Sequence, residues 1–283
     1  MIRSIVIAIK RRIVTRLSRR VKVVQVPVRE PVLMSDLLKG RRALITGGTS
    51  GIGFAMTEAF LQSGAEVIIT GRSEEKLKVA VEGFKNDKVH GLVLDNIHAE
   101  HFGEKIRECE ERFGLPDILV NNAGVIQCKT FGETEVANYD LIMDTNLRGS
   151  YFLSQELANR WKTNGVKANI LNVGSSSSMR PGNSPYVLSK WGMRSLTIGL
   201  AKELIKYNIV VNGIAPGPTA TKLFVGNGEN GINWKRSPAG RLSMETEIAN
   251  LAVVLVSDLS RMVVGDMLFV TGGCGIVTVD DIG

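Results

Sequence analysis

Tyr186 and Lys190 stand four residues apart, so on a helix they share one face. A phenol with a pKa of about 10 moves protons poorly at neutral pH. A neighbouring ammonium favours the phenolate and lowers that value. The pair is therefore suited to giving and taking a proton. A second signal is Thr46-Gly47-Gly48-Thr49-Ser50-Gly51-Ile52-Gly53, which ends an apolar run and leads directly into a helical pattern. Glycines are needed where a strand turns tightly into a helix and where backbone must approach a pyrophosphate. The helix start then presents open N–H groups and a positive dipole end. Gly47, Thr49, Ser50, Gly51, Ile52 and Gly53 are thus expected to cradle a dinucleotide.

The next apolar run ends in Ile68-Ile69-Thr70-Gly71-Arg72-Ser73. In dinucleotide folds an acidic residue here bonds the ribose 2′-hydroxyl, whereas an arginine accommodates a 2′-phosphate. Gly71 stands at the acidic position and Arg72 follows it, a planar, permanently charged fork. The cofactor expected is NADP (NADPH), with NAD disfavoured. His98 and His101 are three apart, the spacing of a metal pair on a helix. No third ligand is evident in the sequence, so they are read as exposed helix-start residues and no metal is expected.

Short apolar runs must position these groups: Ala43–Thr46, Val67–Thr70, Val89–Leu94, Ile118–Asn121, Ile170–Val173, Val210–Ile214 and Met267–Val270. Between them, Gly53–Gln62, Ser73–Phe84, Ala99–Phe113, Val136–Trp161, Pro185–Tyr207 and Glu245–Val256 read as helices. Continuously apolar strands joined by helices imply a parallel sheet covered on both faces. The expected fold is α/β: a doubly wound Rossmann fold with a mostly parallel sheet of about seven strands. It occupies residues 40–283, after an N-terminal extension of residues 1–39.

The motifs now stand in a recognisable order. They are the T-G-x-x-x-G-x-G turn at Thr46–Gly53, Asn121-Asn122-Ala123-Gly124 after the fourth strand, Tyr186-x-x-x-Lys190, and Pro216-Gly217 after the sixth strand. In these features the chain, from residue 41 to about 275, resembles the short-chain dehydrogenase/reductase superfamily in its compact single-domain branch. The resemblance implies an NADP-dependent oxidoreductase interconverting a ketone and a secondary alcohol, with reduction the expected direction. It implies Tyr186 as general acid and Lys190 as its partner, which also reaches the nicotinamide ribose. Ser175 would hold the substrate carbonyl, although Ser176, Ser177 and Ser178 adjoin it and the stretch to Tyr186 is about two residues shorter than the family's usual spacing. Asn146 would kink its helix and anchor a proton-relaying water; a mid-helix asparagine is in any case mildly unfavourable. Asp95 matches the adenine contact, and Asn122 and Gly124 line the cofactor. Pro216, Gly217, Thr219 and Thr221 belong to the loop over the nicotinamide.

The substrate is not legible. Its specificity segment is expected at Lys222–Leu242, which mixes Leu223, Phe224 and Trp234 with Lys222, Lys235, Arg236 and Arg241. A 3-oxoacyl thioester and a sugar or polysaccharide ketone both remain open. Family members assemble through the helices after the fourth and fifth strands, which implies a homodimer or homotetramer here. Cys128 follows Gly124 closely and is read as a packing residue.

The net charge of +7 is unevenly placed. Nine of the 35 basic side chains lie in residues 1–29, with no acidic residue among them; the other 26 face 28 acidic residues, a net of −2. Basicity therefore belongs to the extension, and the body gives no sign of nucleic-acid binding. Taken as a helix, Ile2, Ile5, Val6, Ile9, Ile13 and Leu17 fall on one side of that arm. A basic amphipathic helix can lie in a membrane interface, so residues 1–29 are a candidate peripheral membrane contact. The arm has no aromatic residue to stack on bases, and no nucleic-acid partner is expected. No apolar run approaches the ~18–20 residues of a membrane span, and the run Ile5–Ile9 is too short for a signal peptide. Three scattered cysteines read as reduced thiols. The expected location is cytoplasmic, with contact at the inner membrane surface. The rival reading is a non-catalytic NADP-binding scaffold or sensor tethered by the arm.

Overall fold

A computed structural model describes residues 33–126, 131–221 and 232–275. The chain divides into two units, residues 1–32 and 33–283. The basic arm, Cys128 and the specificity residues Lys222, Leu223 and Phe224 lie outside the described residues. The folded body begins earlier than residue 40. Leu38 is fully buried in the core, and its N–H donates to the Ser63 carbonyl at 2.8 Å. Residues 33–39 thus join the body, because Leu37 and Leu38 pack on a core whose other members are distant in sequence.

Seven strands run in sequence order β1 Arg42–Thr46, β2 Glu66–Gly71, β3 Val89–Val93, β4 Ile118–Asn121, β5 Ala168–Val173, β6 Ile209–Pro216 and β7 Met267–Val270. They form one sheet in the order β3-β2-β1-β4-β5-β6-β7, and every pairing is parallel. The helices are α1 Gly51–Gln62, α2 Glu74–Phe84, α3 Phe102–Phe113, α4 Val136–Met143, α5 Gly149–Asn164, α6 Pro185–Leu204 and α7 Glu245–Val256. Alternate residues of each strand point to opposite faces, and both faces are covered. Ala43 and Ile45 of β1 pack with Met56 and Phe60 of α1 and Ile248 and Val253 of α7. Leu44, between them, packs on the other face with Ile106 of α3, Leu157 of α5 and Leu204 of α6. This is the doubly wound architecture expected from the sequence.

The chain reverses its direction of sheet growth between β1 and β4, so a crevice opens beyond their carboxyl ends, where ligands bind in open α/β sheets. One expected element is divided. The helix read as Val136–Trp161 is α4, a π-helical turn at Asp144–Arg148, and α5. A π turn is a local bulge often found at functional sites, and Asn146 is at its centre.

Candidate active site

The glycine turn is built by exclusion. A Cβ on Gly47 would lie 3.1 Å from the Ala123 Cα, and one on Gly53 would lie 2.4 Å from Asn122 Nδ2 and 2.5 Å from the Gly47 carbonyl. Gly47 and Gly51 also adopt φ of +66° and +58°, a region favouring glycine. Asn122 braces this turn from β4. Its Nδ2 donates to the carbonyls of Thr46 at 2.8 Å and Gly47 at 3.2 Å. Thr46 Oγ1 in turn accepts from the backbone N–H groups of Asn122 and Ala123, both at 2.9 Å. Asn122 therefore holds the glycine turn in place. Sequence reasoning passed over Thr46 because its role depends on a strand that is its neighbour only in space.

At the head of α1 the N-cap residue Ser50 makes no side-chain cap hydrogen bond, and the first turn has no acidic residue. The backbone N–H groups there have no intrahelical partner and suit an anionic ligand. Gly71 lies at the end of β2 facing Thr49, whose Cγ2 would be 3.2 Å from a Cβ at that position. Arg72 is exposed beside it. Asp95 follows β3, and its Oδ1 accepts from the N–H of Ile97 at 3.3 Å. Thus a turn that excludes side chains, an uncapped helix head and a strand end with arginine in place of carboxylate lie along one crevice. The residues present fit an NADP-type dinucleotide.

Across the crevice, three groups distant in sequence meet. A Cβ on Gly124 would touch both Asn146 Oδ1, at 3.4 Å, and Lys190 Nζ, at 3.7 Å. Asn146 is fully buried. Its Oδ1 accepts from the Val125 N–H at 2.8 Å, and its Nδ2 donates to the Val125 carbonyl at 3.0 Å and to Ser189 Oγ at 3.1 Å. Ser189 donates to the Tyr186 carbonyl at 2.7 Å. Lys190 Nζ donates to the Val173 carbonyl at 3.0 Å and sits 5.8 Å from the centre of the Tyr186 ring. Burial penalises its charge and pushes its pKa down to about 8. Tyr186 is the second residue of α6, half-buried, with Ser184 as N-cap and Pro185 in the first turn.

The serines of the run make different hydrogen bonds. Ser175 follows β5 in extended conformation, and its Oγ accepts from the Ser177 N–H at 3.1 Å. Its hydroxyl hydrogen is thereby left to donate elsewhere. Ser178 is fully buried and donates its hydroxyl to the Ser175 carbonyl at 2.8 Å, which makes it a brace. Beneath them runs a buried ladder that the sequence did not reveal. Asn121 Nδ2 donates to Ser154 Oγ at 2.9 Å and to Asn172 Oδ1 at 2.8 Å, and Asn172 Nδ2 donates to Thr197 Oγ1 at 2.9 Å. It ties β4, β5, α5 and α6 together.

Pro216 ends β6, and the following loop leans on the end of β7: a Cβ on Gly217 would lie 2.8 Å from the Thr271 Cα. Thr219 is buried, its hydroxyl donating to the Gly217 carbonyl at 2.9 Å, and Thr221 lies near Gly51. Arg241 is engaged elsewhere, in a two-pronged ion pair with Glu247 at 2.8 and 2.7 Å. That pairing holds the Glu247 carboxyl down at about 2. His98 and His101 are exposed as expected, but folding adds Glu100, so that three donor atoms lie within 4.8 Å of one another. His98 Nδ1 is hydrogen-bonded to Glu100 Oε1 at 3.1 Å.

Residues 47–275 match the family model described as enoyl-(acyl carrier protein) reductase. Over 245 residues the chain is 34% identical to a gluconate 5-dehydrogenase of Gluconobacter oxydans, covering 83% of this chain and 95% of that one. It is 35% identical over 247 residues to a 3alpha-hydroxysteroid dehydrogenase of Mediterraneibacter gnavus, covering 84% and 98%. A crystal structure of a gluconate 5-dehydrogenase from Burkholderia cenocepacia, in complex with NADP and tartrate, superposes with a TM-score of 0.79 at 33% identity, over 87% of this chain and 99% of that one. With this fold and this crevice, the chain belongs to the short-chain dehydrogenase/reductase family, NAD(P)-dependent oxidoreductases that interconvert alcohols and carbonyl compounds.

Proposed function

We propose that the protein reduces a ketone to a secondary alcohol with NADPH, and that keto acids of the aldonate type are its substrates. The observation that carries the reading is the convergence of Gly124, Asn146 and Lys190 beside Tyr186, with the Lys190 ammonium on the Val173 carbonyl two residues before Ser175. NADPH, when bound, supplies the hydride. Ser175 donates its hydroxyl hydrogen to the substrate carbonyl and orients it. Tyr186 gives its phenolic proton to the carbonyl oxygen. Lys190, charged below about pH 8, stabilises the phenolate that remains. Asn146 holds the Val125 segment and Ser189, and so fixes the start of α6.

The aldonate class draws support from gluconate 5-dehydrogenases appearing among both the sequence relatives and the solved structures. Exposed Lys235 and Arg236 suit a carboxylate, while Arg241 is held by Glu247 and is not counted. The test is oxidation of NADPH and of NADH with 5-keto-D-gluconate, an acetoacetyl thioester and an alicyclic ketone. Turnover is expected with NADPH and the keto acid. Preference for the thioester or the alicyclic ketone would reassign the substrate, and no turnover with any ketone would favour the non-catalytic scaffold.

Two further readings concern assembly and place. Val136, Tyr139, Tyr151, Phe152, Leu188 and Ile198 are exposed apolar side chains on α4, α5 and α6. They support a homodimer or homotetramer, which a monomer mass in light scattering would refute. Among the described residues no helix is long and apolar enough to cross a membrane. The charge of residues 1–29 supports peripheral contact with an anionic surface, each basic residue adding about 1 kcal/mol. The full chain should sediment with anionic liposomes at low salt, and residues 33–283 should not; equal behaviour rejects the contact. Cys109 is buried and its thiol is pushed up to about 11, an unreactive group that suits a reducing cytoplasm.

A further inference from the structure

The segment that carries Ser175 is short: only ten residues separate it from Tyr186. It is fastened to α6, the same helix that carries Tyr186 and Lys190. Arg194 lies one helical turn beyond Lys190, and its Nη1 donates to the Ser178 carbonyl at 3.0 Å. Its guanidinium carbon is 5.5 Å from the centre of the Trp191 ring and 5.4 Å from that of Phe269 in β7. Two aromatic faces thus fix the plane of the fork. Trp191 Nε1 donates to the Arg180 carbonyl at 3.0 Å. Further along the segment, a Cβ on Gly182 would lie 2.3 Å from Val187 Cγ1, so the backbone there rests directly on the first turn of α6. The clamp leads back to the reacting hydroxyl. The Ser178 N–H and hydroxyl donate to the Ser175 carbonyl at 3.0 and 2.8 Å, and Ser177 N–H donates to Ser175 Oγ at 3.1 Å.

We propose that Arg194, with Trp191, is a positioning residue: it locks the Ser175–Arg180 segment onto the helix bearing Tyr186 and Lys190, and so sets the Ser175 hydroxyl relative to the phenol. This rests on the reading of Ser175 and Tyr186 given above. The physical reason is economy of freedom. Two groups that must meet one carbonyl oxygen come from different elements, and a rotation of either loses the geometry on which orientation effects depend. A guanidinium held between two rings places one donor on a backbone carbonyl with little freedom to wander.

The test compares the full-length wild type with Arg194→Met and Arg194→Lys. Methionine keeps an apolar stem between the rings and removes every donor. Arg194→Met is expected to lower kcat with NADPH and the best ketone of the panel by about 10- to 100-fold, the order that a misplacement of about 1 Å costs in rate. The KM for NADPH and the melting temperature should stay near wild type, and Arg194→Lys should recover part of kcat. Hydrogen exchange at the Ser177 and Ser178 amides should quicken in Arg194→Met, a readout that needs no substrate. Unchanged kcat, or a fall in kcat accompanied by lost NADPH binding and a lowered melting temperature, overturns the positioning role. Should the wild type turn over no ketone, the catalytic reading fails, and unchanged exchange at Ser177 and Ser178 then overturns the clamp separately.

Discussion

The two sides of the crevice are specified in opposite ways. On the β1–β2 side the functional positions are defined by missing atoms: Gly47, Gly53 and Gly71 each leave space that a Cβ would take. On the other side they are defined by polar side chains: Asn121 is bonded to Asn172, Asn146 to Ser189, and Lys190 to the Val173 carbonyl. A backbone cradle recognises phosphates that every dinucleotide shares, so its chemistry can be monotonous. A proton-transfer site must hold individual donors in register, so it depends on particular polar partners. The lesson is that substitutions should fail for different reasons on the two sides: by collision on the first, by lost chemistry on the second.

The largest effect should come from the catalytic side. Tyr186→Phe removes only a hydroxyl, so turnover should fall by about 10²–10⁴-fold while NADPH binding persists. A steady-state assay beside a fluorescence titration separates the two, and activity within a few-fold of wild type would remove Tyr186 from its role. On the cradle side, Arg72→Ala should weaken NADPH by about 10- to 100-fold and leave NADH nearly unchanged. A wild type that prefers NADH would overturn the coenzyme assignment.

Gly53→Ala sharpens the contrast by collision. Its Cβ meets backbone at the Gly47 carbonyl, which cannot swing away, so a cost of about 1–3 kcal/mol in stability is expected. Gly199→Ala in α6 is the matched control: nothing lies within 4 Å of its Cβ, and alanine should stabilise the helix by up to about 1 kcal/mol. Chemical denaturation measures both, and equal effects would show that the cradle is not defined by exclusion.

The last effect is a pH dependence at Lys190. Lys190 is held at about 8 in the folded protein against an ordinary value of 10.5. Between those values the unfolded chain binds more protons, so this group's contribution to stability rises as pH goes up through that window. In Lys190→Met the rise is absent. The melting-temperature difference between wild type and variant should therefore shift in favour of wild type from pH 7.5 to pH 9.5, and a constant difference would contradict the burial of a titrating amine.

The seven apolar runs and the helix period were enough to locate every strand within about two residues at either end, because burial on both faces leaves a continuous apolar signature. The Tyr186–Lys190 pair was legible because helix geometry alone puts residues four apart on one face. The π turn at Asp144–Arg148 was not, since only an expected irregularity at Asn146 hinted that one long helical pattern is divided. Glu100 was overlooked as a neighbour of His98 and His101 because a short 3-10 turn, not the full helical spacing, brings it to them.

By itself, then, the sequence determined the parallel α/β layout, the glycine turn at the head of α1, the absence of a carboxylate at Gly71 and the shared helix face of Tyr186 and Lys190. Each of these follows from local periodicity or from the conformational freedom of single residues. Only the tertiary structure decided that Asn122 braces the glycine turn, that Ser178 supports Ser175, that Arg241 belongs to Glu247, and that Asn146 and Lys190 meet over Gly124. Those partners lie on different elements, and a hydrogen bond between side chains distant in sequence leaves no mark on the residues between them; it is the packing of the sheet and its helices that chooses which polar groups meet.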